Sequence, residues 1–97
     1  MILHTLDLRR YLVTLLIERG GSATVAELRL DLEADGFRVG GRASRTIPDA
    51  FRAEVRRGRV VRTGHGHDAI GDLPRTTRHR MIHRTAALRT LVRGVAR

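Results

Sequence analysis

The chain of 97 residues contains no cysteine, no tryptophan, one tyrosine and two phenylalanines. Without cysteine, disulfides and thiolate chemistry are excluded. So few aromatic rings cannot build the stacking platform that binds single-stranded nucleic acid. There is also no apolar run of membrane-spanning length and no basic-then-apolar signal pattern at the N-terminus. We therefore expect no membrane partner and a cytoplasmic location, with the nucleoid if the source is prokaryotic.

Lysine is absent as well, so all 19 basic residues are arginine, and the formal net charge is +9. The charge is distributed unevenly along the chain. Residues 1–39 carry five arginines and six carboxylates, a net charge of −1, whereas residues 40–97 carry fourteen arginines and four carboxylates, a net charge of +10. Such an asymmetry in an arginine-rich chain indicates a polyanionic partner for the second part.

The stretch 44–57 predicts a helix with two contrasting faces. Ile47, Phe51 and Val55 recur every four residues and form an apolar stripe. The opposite face carries Arg45, Asp49, Arg52 and Arg56. Gly58 ends this helix, and residues 59–63 are strand-like. The start is left open between Ser44 and Thr46 as N-cap, since Pro48 is best tolerated near the first helical turn. A buried helix with a basic face, followed by a strand, is typical of a helix that reads the major groove.

The remaining pattern predicts an α+β fold, mostly α with a small β-hairpin. A first helix covers 6–19, with Thr5 or Asp7 as its cap, and a short strand covers 22–23. The segment 24–27 is a capping box that opens a second helix ending near Asp35, with Gly36 after it. The outer face of this second helix is acidic, through Glu27, Asp31 and Asp35. A turn over 37–42, a strand over 59–63, a turn over 64–68, a return strand at 69–70 and a fourth helix from 72–74 complete the prediction.

The first helix is apolar on two sides and therefore needs two packing partners. In the fourth helix, a heptad-like seam runs through Met81, Thr85, Leu88, Val92 and Val95. One interpretation is a homodimer through these two helices. Its seam would consist of Leu6, Val13, Ile17, Met81, Leu88 and Val92. The alternative is that the fourth helix packs on the first helix of the same chain.

The order of elements resembles the winged helix-turn-helix domain of small transcriptional regulators. The resemblance is carried by Thr24-Val25-Ala26-Glu27-Leu28 at the start of the second helix, and by Ile47-x-x-Ala50-Phe51-x-x-Glu54-Val55-x-x-Gly58-x-Val60-x-Arg62. It covers about residues 5–71. It implies a winged-helix domain over 1–71, to which residues 72–97 add a C-terminal helix similar to the dimerisation helix of some subfamilies.

The resemblance implies three sets of contacts to double-stranded DNA. Base-reading contacts would come from Arg42, Ser44, Arg45, Thr46 and Asp49. Asp49 would accept a hydrogen bond from cytosine or instead orient Arg45 or Arg52. Contacts to the DNA backbone would come from Arg52, Arg56 and Arg57. Contacts from the wing would come from Arg59, Arg62, His65 and His67.

We therefore expect a dimeric transcriptional regulator that binds duplex DNA in a sequence-specific manner. Two alternatives are an interaction module for an acidic protein and a sequence-independent DNA-packaging protein. No catalytic constellation or cofactor motif is present, so we expect neither enzymatic activity nor a cofactor. The pairs His65/His67 and His79/His83 have spacings that can chelate, but they lie on different elements, and no metal site is predicted. The operator and any small-molecule effector are not indicated.

Overall fold

The computed structural model describes residues 1–95 as an α+β fold with four helices, a three-stranded antiparallel sheet and a two-stranded parallel pair, which confirms the predicted class. The elements are β1 (Ile2–Leu3), α1 (Thr5–Glu18), β2 (Ser22–Thr24), α2 (Val25–Ala34), β3 (Arg38–Val39), α3 (Ala43–Arg56), β4 (Val60–Gly64), β5 (His67–Ile70) and α4 (Arg75–Val95). Ala96 and Arg97 of the predicted region 72–97 lie outside the described residues, as does the Val95 side chain of the predicted seam.

Helix α1 is the centre of the core. Every side chain from Tyr11 to Leu16 is buried, because α1 packs against α2, α3 and the sheet on one side and against α4 on the other. The predicted need for two packing partners is thus confirmed. The predicted cap is wrong: His4 occupies the N-cap position, and no side chain caps the helix. Thr5 is instead the first helical residue, with a φ of 43°.

The predicted dimer seam is largely buried within one chain, which corrects the intersubunit interpretation. Val13, Met81 and Leu88 are buried within the chain. Helix α4 lies on the side of α1 that carries Tyr11, Thr14 and Glu18, and the Thr85 hydroxyl donates a hydrogen bond of 3.0 Å to Thr14 between the two helices. Among the other seam residues, Leu6 is exposed, and Ile17 and Val92 are partly buried. The heptad spacing is therefore used for packing inside the chain, because the side of α4 that carries Met81, Thr85 and Leu88 is buried against α1.

Helix α2 begins and ends as predicted. The Thr24 hydroxyl accepts from the Glu27 amide at 3.1 Å, the Glu27 carboxylate accepts from the Thr24 amide at 2.8 Å, and Gly36 has a φ of 89°. The predicted acidic face is not a free negative surface. Arg19 donates to Asp31 at 2.6 Å and to Glu27 at 2.7 Å. Asp35 accepts from Arg89 and from the Tyr11 hydroxyl, so neighbouring helices neutralise the acids of α2.

The predicted hairpin is present, with a tighter turn than expected. Strands β4 and β5 pair in an antiparallel manner around His65 and Gly66, and β2 adds to the outer side of β5, giving the order β2-β5-β4. The register pairs Val61 with Ala69 and Ala23 with Asp68. Strands β1 and β3 were not predicted. They are two residues long, too short to carry a periodicity, and β3 lies inside the predicted turn 37–42.

Helix α3 begins earlier than predicted. Arg42 is the N-cap and makes no side-chain capping bond, so neither Ser44 nor Thr46 caps the helix. Pro48 consequently lies inside α3, where it has no N–H to donate to the Ser44 carbonyl. The apolar stripe is buried at Ile47 and Phe51, and the end at Gly58, with a φ of 75°, is as predicted. No helix among the described residues is both long and apolar enough to cross a membrane.

Candidate functional site

The exposed side of α3 carries a cluster of charged side chains, here called the α3 arginine face and consisting of Arg45, Asp49, Arg52 and Arg56. The side chains of Arg45 and Arg52 are 86% and 70% exposed. The Asp49 carboxylate accepts a hydrogen bond of 3.0 Å from Arg52 and lies 4.0 Å from the Arg45 guanidinium. The predicted pairing of Asp49 with the arginines one turn away is therefore present, whereas its alternative role as an acceptor from cytosine stays a prediction. Both guanidiniums keep further donors directed to solvent.

The predicted base-reading residues at the start of α3 differ in their exposure. Arg42 and Ser44 are exposed at the start of the helix. Thr46 is partly buried, and its hydroxyl donates a hydrogen bond of 2.7 Å to the Gly40 carbonyl. Its proton is thus used to hold the turn before α3. Thr46 positions the helix in the structure, which differs from the base contact predicted for it.

The β4–β5 hairpin is tied to α3 by Arg62. Its guanidinium donates a hydrogen bond of 3.1 Å to the Pro48 carbonyl and lies 4.0 Å from the Asp68 carboxylate. Burial raises the pKa of Asp68, while the nearby Arg62 charge acts in the opposite direction. Between the hairpin and the start of α3 is a cleft of about 550 Å³, lined in part by Ser44, His65 and His67. The predicted wing residues Arg62, His65 and His67 therefore do lie beside α3.

Two arginines predicted to contact DNA, Arg57 and Arg59, lie on a different surface from the α3 arginine face. The side chains of Arg57 and Arg59 lie against Glu54, at 3.9 and 3.6 Å, and Arg9 of α1 approaches the same carboxylate at 3.2 Å. Glu54 is completely buried. Arg59, only 24% exposed, is thus not part of the hairpin surface, which corrects its assignment as a wing residue.

Glu54 was missed as a structural centre by the sequence analysis. It follows Phe51 by three residues and Ile47 by seven, which places it on the apolar stripe of α3. A carboxylate at such a position indicates that basic side chains pair with it where it is buried. The identity of one partner, Arg9, depends on the packing of α1 on α3.

The two histidine pairs contribute no clustered site. The rings of His79 and His83 lie one above the other on α4, with centroids 4.1 Å apart, and His65 and His67 lie on the hairpin. Within residues 1–95 no group of three or more His, Cys, Asp or Glu side chains is placed to hold a metal ion. The four histidines are therefore surface residues of two separate elements.

Comparison of the chain with protein-family models, curated proteins and solved structures finds no match. The interpretation of the site consequently depends on its own residues. These place a strongly basic helix face beside a hairpin that reaches it through Arg62, and the adjacent cleft connects the two. The guanidiniums of this arrangement can donate hydrogen bonds to a negatively charged partner that extends over both elements.

Proposed function

We propose that the chain is a winged helix-turn-helix protein that binds duplex DNA in a sequence-specific manner and acts as a transcriptional regulator. In this proposal α3 enters the major groove, and the β4–β5 hairpin is the wing, which contacts the backbone or the minor groove. The observation that carries the proposal is the α3 arginine face, exposed on a helix whose opposite side is fixed in the core by Ile47 and Phe51.

A major groove about 12 Å wide admits one α-helix, and guanine presents two acceptors there that a guanidinium can contact together. Arg45 is suited to this contact because it is exposed on the first turn of a helix that the core fixes, and Arg52, which pairs with Asp49 one turn further on, is placed to contact the backbone. Phosphates on either side would be contacted by Arg56 of α3 and by His65 and His67 of the hairpin. Such contacts determine the orientation of the protein without reading sequence.

The proposal is tested by measuring duplex affinity for an Arg45→Ala/Arg52→Ala variant, with a duplex obtained by selection from a randomised pool. Each good arginine–guanine contact contributes about 1–3 kcal/mol, so we expect the double variant to bind at least tenfold more weakly. Raising the salt concentration should weaken binding by the wild type with a log–log slope of about 0.9 per phosphate contacted.

The matched control is Arg78→Ala/Arg93→Ala, which removes the same charge from exposed positions on α4. Its affinity for the selected duplex should change much less. Equal losses of duplex affinity in both variants would contradict a base-reading role for α3. They would indicate only general electrostatic attraction between the protein and DNA. Equal affinity of the wild type for the selected and the scrambled duplex would indicate sequence-independent DNA packaging.

A further inference from the structure

A second basic surface lies away from the α3 arginine face. At the junction of α1, the C-terminal end of α3 and α4 is a cleft of about 450 Å³, here called the arginine cleft. Five arginines line it, and they come from three parts of the chain: Arg9, Arg10, Arg57, Arg59 and Arg80. Like charges do not gather at one place without a cost in repulsion, so their convergence calls for a physical reason.

Part of that reason is Glu54, but one carboxylate does not balance five guanidiniums. Glu54 pairs with Arg9, Arg57 and Arg59. Within residues 1–95, Arg10 and Arg80 have no carboxylate within ion-pair distance. Asp7, which is close enough to Arg10 to be influenced by its charge, is already bound by Arg84 through hydrogen bonds of 2.9 and 3.1 Å. The cleft therefore keeps a large positive excess.

The ion pairs around Glu54 position the arginines without using up their donors. Neither Glu54 oxygen receives an aligned hydrogen bond, and the Arg9 Nε likewise has no aligned acceptor. Each guanidinium has five N–H donors, so several remain for a second anion. Because Glu54 is completely buried and fixed in α3, its three partners are held near the cleft before any ligand arrives. Such preorganisation lowers the entropic cost of binding.

We propose that the arginine cleft binds a small molecule that carries two or more linked phosphate groups. Arginine pairs with phosphate in a bidentate manner, and five arginines can surround a diphosphate but exceed what a single phosphate can contact. The volume lies within the range of small-molecule sites. Leu6, which is exposed, lines the same cleft and offers apolar contact to a non-phosphate part of the ligand. This site is separate from the proposed DNA contact and does not depend on it.

Inorganic pyrophosphate is the probe for the test, with orthophosphate for comparison, by isothermal titration calorimetry at fixed salt. We expect one pyrophosphate per chain and at least tenfold weaker binding of orthophosphate. Arg10→Gln/Arg80→Gln should weaken pyrophosphate binding at least tenfold. Arg78→Gln/Arg93→Gln, with the same change of charge on exposed positions outside the cleft, should weaken it less than twofold. Circular dichroism verifies that both variants are folded.

Absence of saturable pyrophosphate binding by the wild type would overturn the proposal, as would equal weakening in the two double variants. A second measurement separates the cleft from the DNA contact. Pyrophosphate should still bind to the duplex-bound protein. If duplex instead displaces pyrophosphate, and Arg10→Gln/Arg80→Gln also loses duplex affinity, the cleft belongs to a DNA-binding surface and the small-ligand proposal is wrong. If no duplex binds at all, the pyrophosphate result stands independently.

Discussion

At the scale of single residues, Glu54 has the largest structural consequence. A buried carboxylate loses its hydration, and close positive charges offset part of that loss. Arg9, Arg57 and Arg59 provide these charges at 3.2 to 3.9 Å. One side chain thus links the start of α1 to the end of α3 and the residue before β4. The same contacts explain why Arg57 and Arg59 lie away from the hairpin surface.

Asp7 links α1 to α4 and provides a pH-dependent test. Two hydrogen bonds from Arg84 lower the pKa of Asp7 below its ordinary value of 3.8. A carboxyl whose pKa is lower in the folded state stabilises the fold above its unfolded pKa, and that contribution disappears as the pH falls through the folded value. We expect Asp7→Asn to lower the melting temperature at pH 7 and its effect to diminish progressively as the pH falls below 3.8, as measured by thermal unfolding across this range.

The partner variant provides the control for that experiment. Arg84→Gln should show the same pH profile, and the double variant Asp7→Asn/Arg84→Gln should be little less stable than either single variant, because both remove one interaction. Additive losses, or a pH-independent loss for Asp7→Asn, would show that the two side chains contribute separately.

At the scale of elements, the start of α3 is held by contacts outside the helix. Arg42 makes no capping bond, and Pro48 removes one backbone hydrogen bond from the helix interior. In compensation, the Thr46 hydroxyl fixes the preceding turn to Gly40, and the Pro48 carbonyl accepts a hydrogen bond from Arg62 of β4. The element proposed to read DNA therefore depends on its neighbours for the geometry of its first two turns.

The connection from β5 to α4 crosses the end of α3 at very close range. Gly71 donates to the Arg59 carbonyl at 2.8 Å, and a Cβ at position 71 would collide with the Gly58 carbonyl oxygen. We expect Gly71→Ala to lower the free energy of unfolding by about 1–3 kcal/mol, the usual range for overpacking. Denaturant unfolding measures the change.

Gly94→Ala is the matched control, because it adds the same methyl group within α4 where no atom lies within 4 Å. It should leave stability unchanged or raise it by up to about 1 kcal/mol through helix propensity, with less effect near the helix end. A neutral Gly71→Ala variant would contradict the close approach of the two backbone segments.

At the scale of the whole molecule, α4 completes the core instead of extending from it. It lies on the side of α1 that carries Tyr11, Thr14 and Glu18. It is fixed there by Arg89, which donates to Glu18 at 2.7 and 2.8 Å and also contacts Asp35 of the α2 C-cap. Three residues predicted to join two chains, Val13, Met81 and Leu88, are buried within the chain and are unavailable on the surface. Homodimer formation itself stays a prediction, without these residues as its seam.

Two substitutions on α4 distinguish packing within the chain from packing between chains. Leu88 is 5% exposed and Leu91 is 54% exposed. We expect Leu88→Asp to unfold the protein or to destabilise it by more than about 3 kcal/mol, because an unpaired charge is placed in the core. Leu91→Asp should be nearly neutral. Thermal unfolding measures stability, and sedimentation measures the oligomeric state.

The opposite result would restore the intersubunit interpretation. In that result the wild type is a dimer, and Leu88→Asp stays folded with near wild-type stability but becomes a monomer. Leu91→Asp sediments like the wild type. A wild type that is monomeric from the outset would exclude the predicted homodimer under those conditions.

Much of the fold followed from local signals. The capping box at Thr24, the glycine ends at Gly36 and Gly58, and the apolar stripe of α3 at Ile47 and Phe51 each depend on residues a few positions apart. Prediction failed where the deciding contact is remote in sequence. The role of Thr46 depends on Gly40, the position of Arg59 depends on Glu54, and β3 exists only because β1 lies beside it.

The sequence by itself determined the α+β class, the order of the main helices, the hairpin and the basic face of α3, because periodicity, capping and turn chemistry are local properties. Only the tertiary structure decided which surface covers the apolar side of α4, which acids neutralise which arginines, and that five arginines meet in one cleft. An apolar seam has the same spacing whether its partner is in the same chain or in another. A charged side chain likewise acquires its role only when its neighbours in space are known.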